Sequence, residues 1–142
     1  MELTLRGQTA LQLEWPATSA ESALAEYGQR ALHVLGYFAL MYVHENVLEY
    51  YWHRAMHLSF FYKTMHRFHH FYKAPEPFDD LMIHPLEGFG YYCIMYSPAL
   101  LYRCHWSVFF LYVVWMGLTG VFDHSGIKVH APLGMYASID HD

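Results

Sequence analysis

Between residues 86 and 122 the sequence carries only two formally charged side chains, Glu87 and Arg103. The two runs this leaves, 86–102 and 106–122, are apolar and aromatic, and Arg103-Cys104-His105 separates them. At 1.5 Å rise per residue, about seventeen helical residues cover roughly 25 Å, slightly under the hydrocarbon thickness of a bilayer. The pattern predicts a tight helical hairpin through most of a membrane, with Pro98 kinking its first arm as membrane helices tolerate. Such a hairpin constrains everything around it. Two crossings return the chain to the side it left, so residues 53–84 and 124–141 are expected on one face.

The composition points the same way. Hydrophobic residues make up 55% and aromatics 19%, while charged residues make up only 15%, against roughly 25% in soluble domains. A net charge of -5 without any Lys/Arg stripe lacks the electrostatic footprint of a nucleic-acid binder. Cys93 and Cys104 sit among apolar neighbours without metal-binding spacing and read as packing thiols. No N-terminal signal peptide is visible. At 142 residues the length allows a single domain. Residues 1–18 read as a polar lead-in and residues 19–142 as the domain proper.

Upstream of the hairpin, Thr18-x-x-Glu21 has the form of a capping box. A helical stretch is predicted from about residue 19 to the region of Phe71, in two or three pieces. Its segment 31–43 is apolar except for His33. The segment is short of the roughly 20 residues a span needs, and it reaches that length only by running on through Glu45 and Glu49. The Tyr50-Tyr51-Trp52 cluster suits a membrane interface. Pro75 and Pro77 break the helix, and a short connector leads to the hairpin.

Twelve histidines are present, and they are clustered. His53 and His57 stand at i and i+4, which lie on one helical face with Cβ atoms about 5–6 Å apart. His66, His69 and His70 stand at i, i+3 and i+4 and share a face in the same way. Histidine is a mediocre helix former and costly to bury unpaired, so five imidazoles on two helical faces are hard to explain except as metal ligands. His84, in His84-Pro85-Leu86-Glu87, and His124, in His124-Ser125-Gly126, flank the hairpin at the level of the clusters. Each is a candidate ligand or a residue that orients one. His141 begins a third cluster. His33, His44, His105 and His130 are isolated and read as packing, interfacial or solvated residues, with His105 at the opposite tip of the hairpin. His44-Glu45 opens like a zinc-peptidase motif, but Leu48 stands where its second histidine belongs. Glu49, one turn before His53, could accept that ligand's free ring N–H; Glu87 and Asp123 are candidates for the same role.

Imidazole suits zinc, copper, iron and nickel alike. A structural zinc site needs four ligands and usually employs cysteine. Six or more histidines without a candidate cysteine argue instead for two ions with open positions. Two irons beside a membrane would suit dioxygen activation toward an unactivated C–H bond.

In order and separation, these boxes resemble the sterol desaturase/fatty acid hydroxylase superfamily of integral membrane enzymes. The resemblance covers about residues 45–142 through His53…His57, His66…His69-His70, His84-Pro85-Leu86-Glu87, His124-Ser125-Gly126 and His141-Asp142. It implies an all-α membrane domain: a transmembrane hairpin with a histidine-rich helical cap on the cytosolic face, in the endoplasmic reticulum if the source is eukaryotic. It implies two non-haem iron ions, dioxygen as co-substrate, and electrons from a reductase chain through a b-type cytochrome. The reaction would be hydroxylation or desaturation of a lipid. His53, His57, His66, His69, His70 and His141 carry over as ligands, and His84 and His124 with them in some branches. No catalytic residues are expected beyond the ligands. The family's last box, H-D-x-H-H, continues past Asp142, so a chain ending there is expected to lack two ligands. The alternatives are therefore a truncated, inactive member, or a non-enzymatic membrane protein that handles a metal or haem.

Overall fold

The structure, a computed structural model, describes residues 11–16, 22–71, 76 and 79–123. The capping box at Thr18–Glu21 and residues His124, His130 and His141 lie outside them. Among these residues five α-helices appear: α1 (Ala23–Met56), α2 (Ser59–Thr64), α3 (Pro85–Tyr96), α4 (Pro98–Leu101) and α5 (Trp106–Asp123). Two 3₁₀ turns, His66–Phe71 and Asp79–Leu81, complete the order. Among the described residues there is no strand, only an isolated bridge between Gln12 and His105. The helical stretch expected between residues 19 and 71 forms in three pieces: α1, α2 and the first 3₁₀ turn. The chain divides into two compact units, residues 1–49 with 92–114, and residues 50–91 with 115–142.

In the first unit the two apolar runs meet as helices. Pro98 lacks an N–H and sits at the start of a helix, where none is needed. The first run therefore breaks at Ser97 into α3 and the four-residue α4. The turn at 102–105 then reverses the chain into α5. The Tyr112 hydroxyl donates to the Met95 carbonyl (3.1 Å), and the Tyr96 and Phe109 rings lie 6.2 Å apart, so the arms fold back on each other. Among the described residues no helix is long and apolar enough to cross a membrane.

His44, isolated in sequence, joins these arms to α1. Ser97 Oγ donates to the Ile94 carbonyl (2.8 Å), so it accepts from His44 Nε2–H (2.9 Å). His44 Nδ1 is then left to accept from the Tyr102 hydroxyl (2.9 Å). The lead-in, for which the sequence predicts no regular structure, is strapped to the hairpin turn. Gln12 N–H donates to Cys104 O and Trp106 N–H to Gln12 O, each at 2.9 Å. His105 Nε2–H reaches Leu13 O (3.0 Å), and the Trp15 ring lies parallel over His105 at 4.1 Å.

Burial is distributed unlike that of a water-soluble domain. Glu45 is fully buried, as are Met41, Val108 and Tyr112, while Leu32, Leu35, Val43, Phe110 and Leu111 face outward. Exposed apolar surface on this scale marks a surface made for contact with something other than water.

In the second unit, glycine permits a close approach. A Cβ on Gly90 of α3 would overlap the six-membered ring of Trp52 on α1. Replacing Gly90 with alanine is expected to destabilise the fold by about 1–3 kcal/mol through overpacking. Denaturant unfolding of the variant beside wild type checks this, and equal midpoints would show that the indole moves aside freely.

Candidate metal centre

His53 stands in the last turn of α1 and His57 just beyond its end, one turn on, with the His57 N–H donating to the His53 carbonyl (3.2 Å). Leu58 is extended (ψ 139°) and turns the chain into α2, and Met65 (φ -131°, ψ -57°) ends that helix. His66 therefore opens a new turn against the same histidines. That turn is 3₁₀, in which residues i and i+3 eclipse while i+4 points away. A departure from helical geometry at His70 (φ -88°, ψ 20°) interrupts the spiral. His70 nonetheless shares the cluster with His66.

Four imidazoles converge as a result. One ring nitrogen each from His53, His57, His66 and His70 lies within 4.8 Å of the other three. The Nε2 atoms of His53 and His57 are 3.0 Å apart, those of His57 and His66 are 3.3 Å apart, and those of His66 and His70 are 2.9 Å apart. A metal ion bound by histidines at about 2.0–2.1 Å in a tetrahedral shell holds its nitrogens roughly 3.3 Å apart. These three separations lie near that value, so the donor set is able to hold one cation.

Proton placement supports this. His66 Nδ1–H donates to Glu87 Oε1 at 2.5 Å, with His66 fully buried and Glu87 6% exposed. Because Nδ1 carries the proton, Nε2 presents a lone pair to the cluster, the tautomer a metal ligand requires. Desolvation at the cluster, and next His66 beside it, hold His57 below the usual imidazole range, although Glu87 pulls the other way. A depressed value favours neutral imidazole, the form that binds metal.

The other candidate residues take different places. The His69 ring lies 5.5 Å from that of His66 and 5.4 Å from that of His70, at the edge of the cluster but outside the four-donor group. His84 Nδ1 accepts from the Leu86 N–H (3.3 Å), and its ring lies over Phe68 at 6.2 Å. Among the described residues, then, His84 is not in the donor group. Glu49 lies on α1 four residues before His53, and Asp123 is the last residue of α5. Tyr62 was not among the expected site residues, yet its ring lies 5.9 Å from His57 and 6.2 Å from both His66 and His70. Its position four residues before His66 was the available signal.

Comparison with known proteins bears on the family of the chain. The profile of the fatty acid hydroxylase family matches residues 38–141. The lathosterol oxidase of Mus musculus is 34% identical over 86 residues, which are 60% of this chain and 26% of that protein. A methylsterol monooxygenase of Aspergillus fumigatus is 30% identical over 112 residues, covering 72% of this chain and 38% of the relative. The Homo sapiens lathosterol oxidase is 45% identical over 40 residues, 28% of this chain and 13% of its own. The chain thus spans between about an eighth and two-fifths of the length of these relatives. No solved structure matches it. The profile covers most of the chain, including every histidine of the converging cluster, and the chain belongs to the fatty acid hydroxylase family within the sterol desaturase/fatty acid hydroxylase superfamily.

Proposed function

We propose that this chain is the metal-binding part of a membrane-bound oxidoreductase that uses dioxygen to hydroxylate or desaturate a lipid, with a sterol or fatty acyl group as substrate. The observation that carries this reading is the convergence of four imidazole nitrogens within 4.8 Å in a chain of this family. His53, His57, His66 and His70 would hold one iron ion. His69, His84, His124 and His141 are the further donors proposed for a second. When bound, such a pair would supply activation of dioxygen for attack on an unactivated C–H bond. The chain's own residues do the rest. Glu87 fixes the tautomer of His66, and desolvation at the cluster favours the neutral form of His57.

The outward-facing leucines, valines and phenylalanines support a membrane setting, because a lipid solvent leaves apolar side chains outside and polar ones within. On this reading the hairpin enters the bilayer from the cytosolic side, where the histidines meet an electron-donor protein of the b-type cytochrome kind.

Iron analysis of the purified protein, with turnover of sterol and acyl substrates under isotopically heavy dioxygen, tests the proposal. We expect iron in the protein and dependence of product on dioxygen. Label in the lipid marks hydroxylation, and label in water alone marks desaturation. A protein that takes up no iron and shows a haem absorption band after purification would sink the reading.

A further inference from the structure

Three of the four converging histidines meet the ring of Tyr62, which is outside the four-donor group. Tyr62 stands on α2, a six-residue helix whose first turn is closed by Tyr62 N–H donating to Leu58 O at 2.9 Å. Its ring lies 27° from parallel with His57 and 31° from parallel with His70, with the His66 ring edge-on to it at 69°. These separations fall within the range in which aromatic rings attract one another. Tyr62 is 37% exposed and so stands at the surface beside these rings, where a side chain can give them cover from solvent. The ligands need that cover unequally. His66 is fully buried and pinned by Glu87, whereas His57 lies just beyond the end of α1 with its ring exposed.

We infer that Tyr62 is a positioning residue of the metal centre: its ring face holds His57 and His70 with their Nε2 atoms turned inward, and it shields the donor set from water. The inference rests on the metal-binding reading above. The contacts on which it rests are those of the ring, 27° from parallel with His57 and 31° with His70, so the ring is the part the test removes. The break at Leu58 and the break at Met65 then have a purpose, because together they lay α2 alongside the histidines.

The test compares wild type with Y62F, Y62L and Y62A, loaded with ferrous iron. Two quantities are read: the rate of iron transfer to a competing chelator, and the melting temperature of the metal-free protein. Phenylalanine keeps the ring face and should release iron within about twofold of wild type. Alanine should release it about tenfold faster, the scale on which supporting residues tune metal affinity. Leucine fills the space without a π face and should resemble alanine, which keeps the test decisive if Y62A folds poorly. Wild-type release from both Y62L and Y62A would overturn the inference, as would Y62F releasing as fast as Y62A. Failure of the wild-type protein to take up iron would overturn the metal-binding reading itself, and this inference with it.

Discussion

In the proposed metal centre, replacing His66 with alanine is expected to cut metal affinity more than about a hundredfold, beyond the loss caused by removing a supporting residue. His66 stands at the middle of the cluster. Its Nε2 lies 3.3 Å from that of His57 and 2.9 Å from that of His70, so removing it separates the remaining donors. The substitution also strips Glu87 of its hydrogen-bond donor at a site only 6% exposed. Breaking a buried pair in this way costs about 3–5 kcal/mol. His66→Ala should therefore lose both metal and thermal stability. His57→Ala, at the exposed edge, should lose metal with little change in the stability of the metal-free protein. Elemental analysis paired with melting curves separates the two effects. Wild-type metal content in His66→Ala would show that the cluster is not the binding site.

The parts of this site that are local in the chain were legible in its sequence. The i, i+4 spacing of His53 and His57 and the run His66-x-x-His69-His70 announce shared faces, and the helical stretch ends near Phe71 as the pattern implies. Periodicity could not say that the second cluster would lie on a 3₁₀ turn broken at His70, because 3₁₀ and α spirals share the same residue preferences. That break decides which histidine stands apart, and it is His69. Long-range partners were less legible still. His44 meets Ser97 and Tyr102 across 53 and 58 residues of chain, and Leu13 reaches His105 across 92. Nothing local in a sequence encodes such a pairing. Glu87 is the exception. It was named as a candidate to accept a ligand's free ring N–H, and His66 is the histidine it meets.

That pairing makes Glu87 the residue whose loss should be felt most strongly among those that bind no metal. Replacing Glu87 with alanine frees the His66 ring to rotate and to exchange its Nδ1 proton for one on Nε2, which would turn a donor away from the centre. Residues that orient ligands in this way change metal affinity by about 10–100-fold, and the upper end is expected here because Glu87 and His66 are both buried. Glutamine distinguishes charge from geometry. Its amide oxygen can still accept from Nδ1–H, so Glu87→Gln should keep the tautomer and lose only about tenfold, the share that ligand basicity contributes. The ordering wild type, Gln, Ala should appear in a chelator competition titration at fixed pH, with circular dichroism confirming that each variant remains helical. Two outcomes would contradict the role assigned to Glu87. If both variants bound metal as wild type does, the hydrogen bond to His66 would be incidental to the centre. If Gln and Ala fell equally far, the negative charge and not the held tautomer would be what Glu87 contributes.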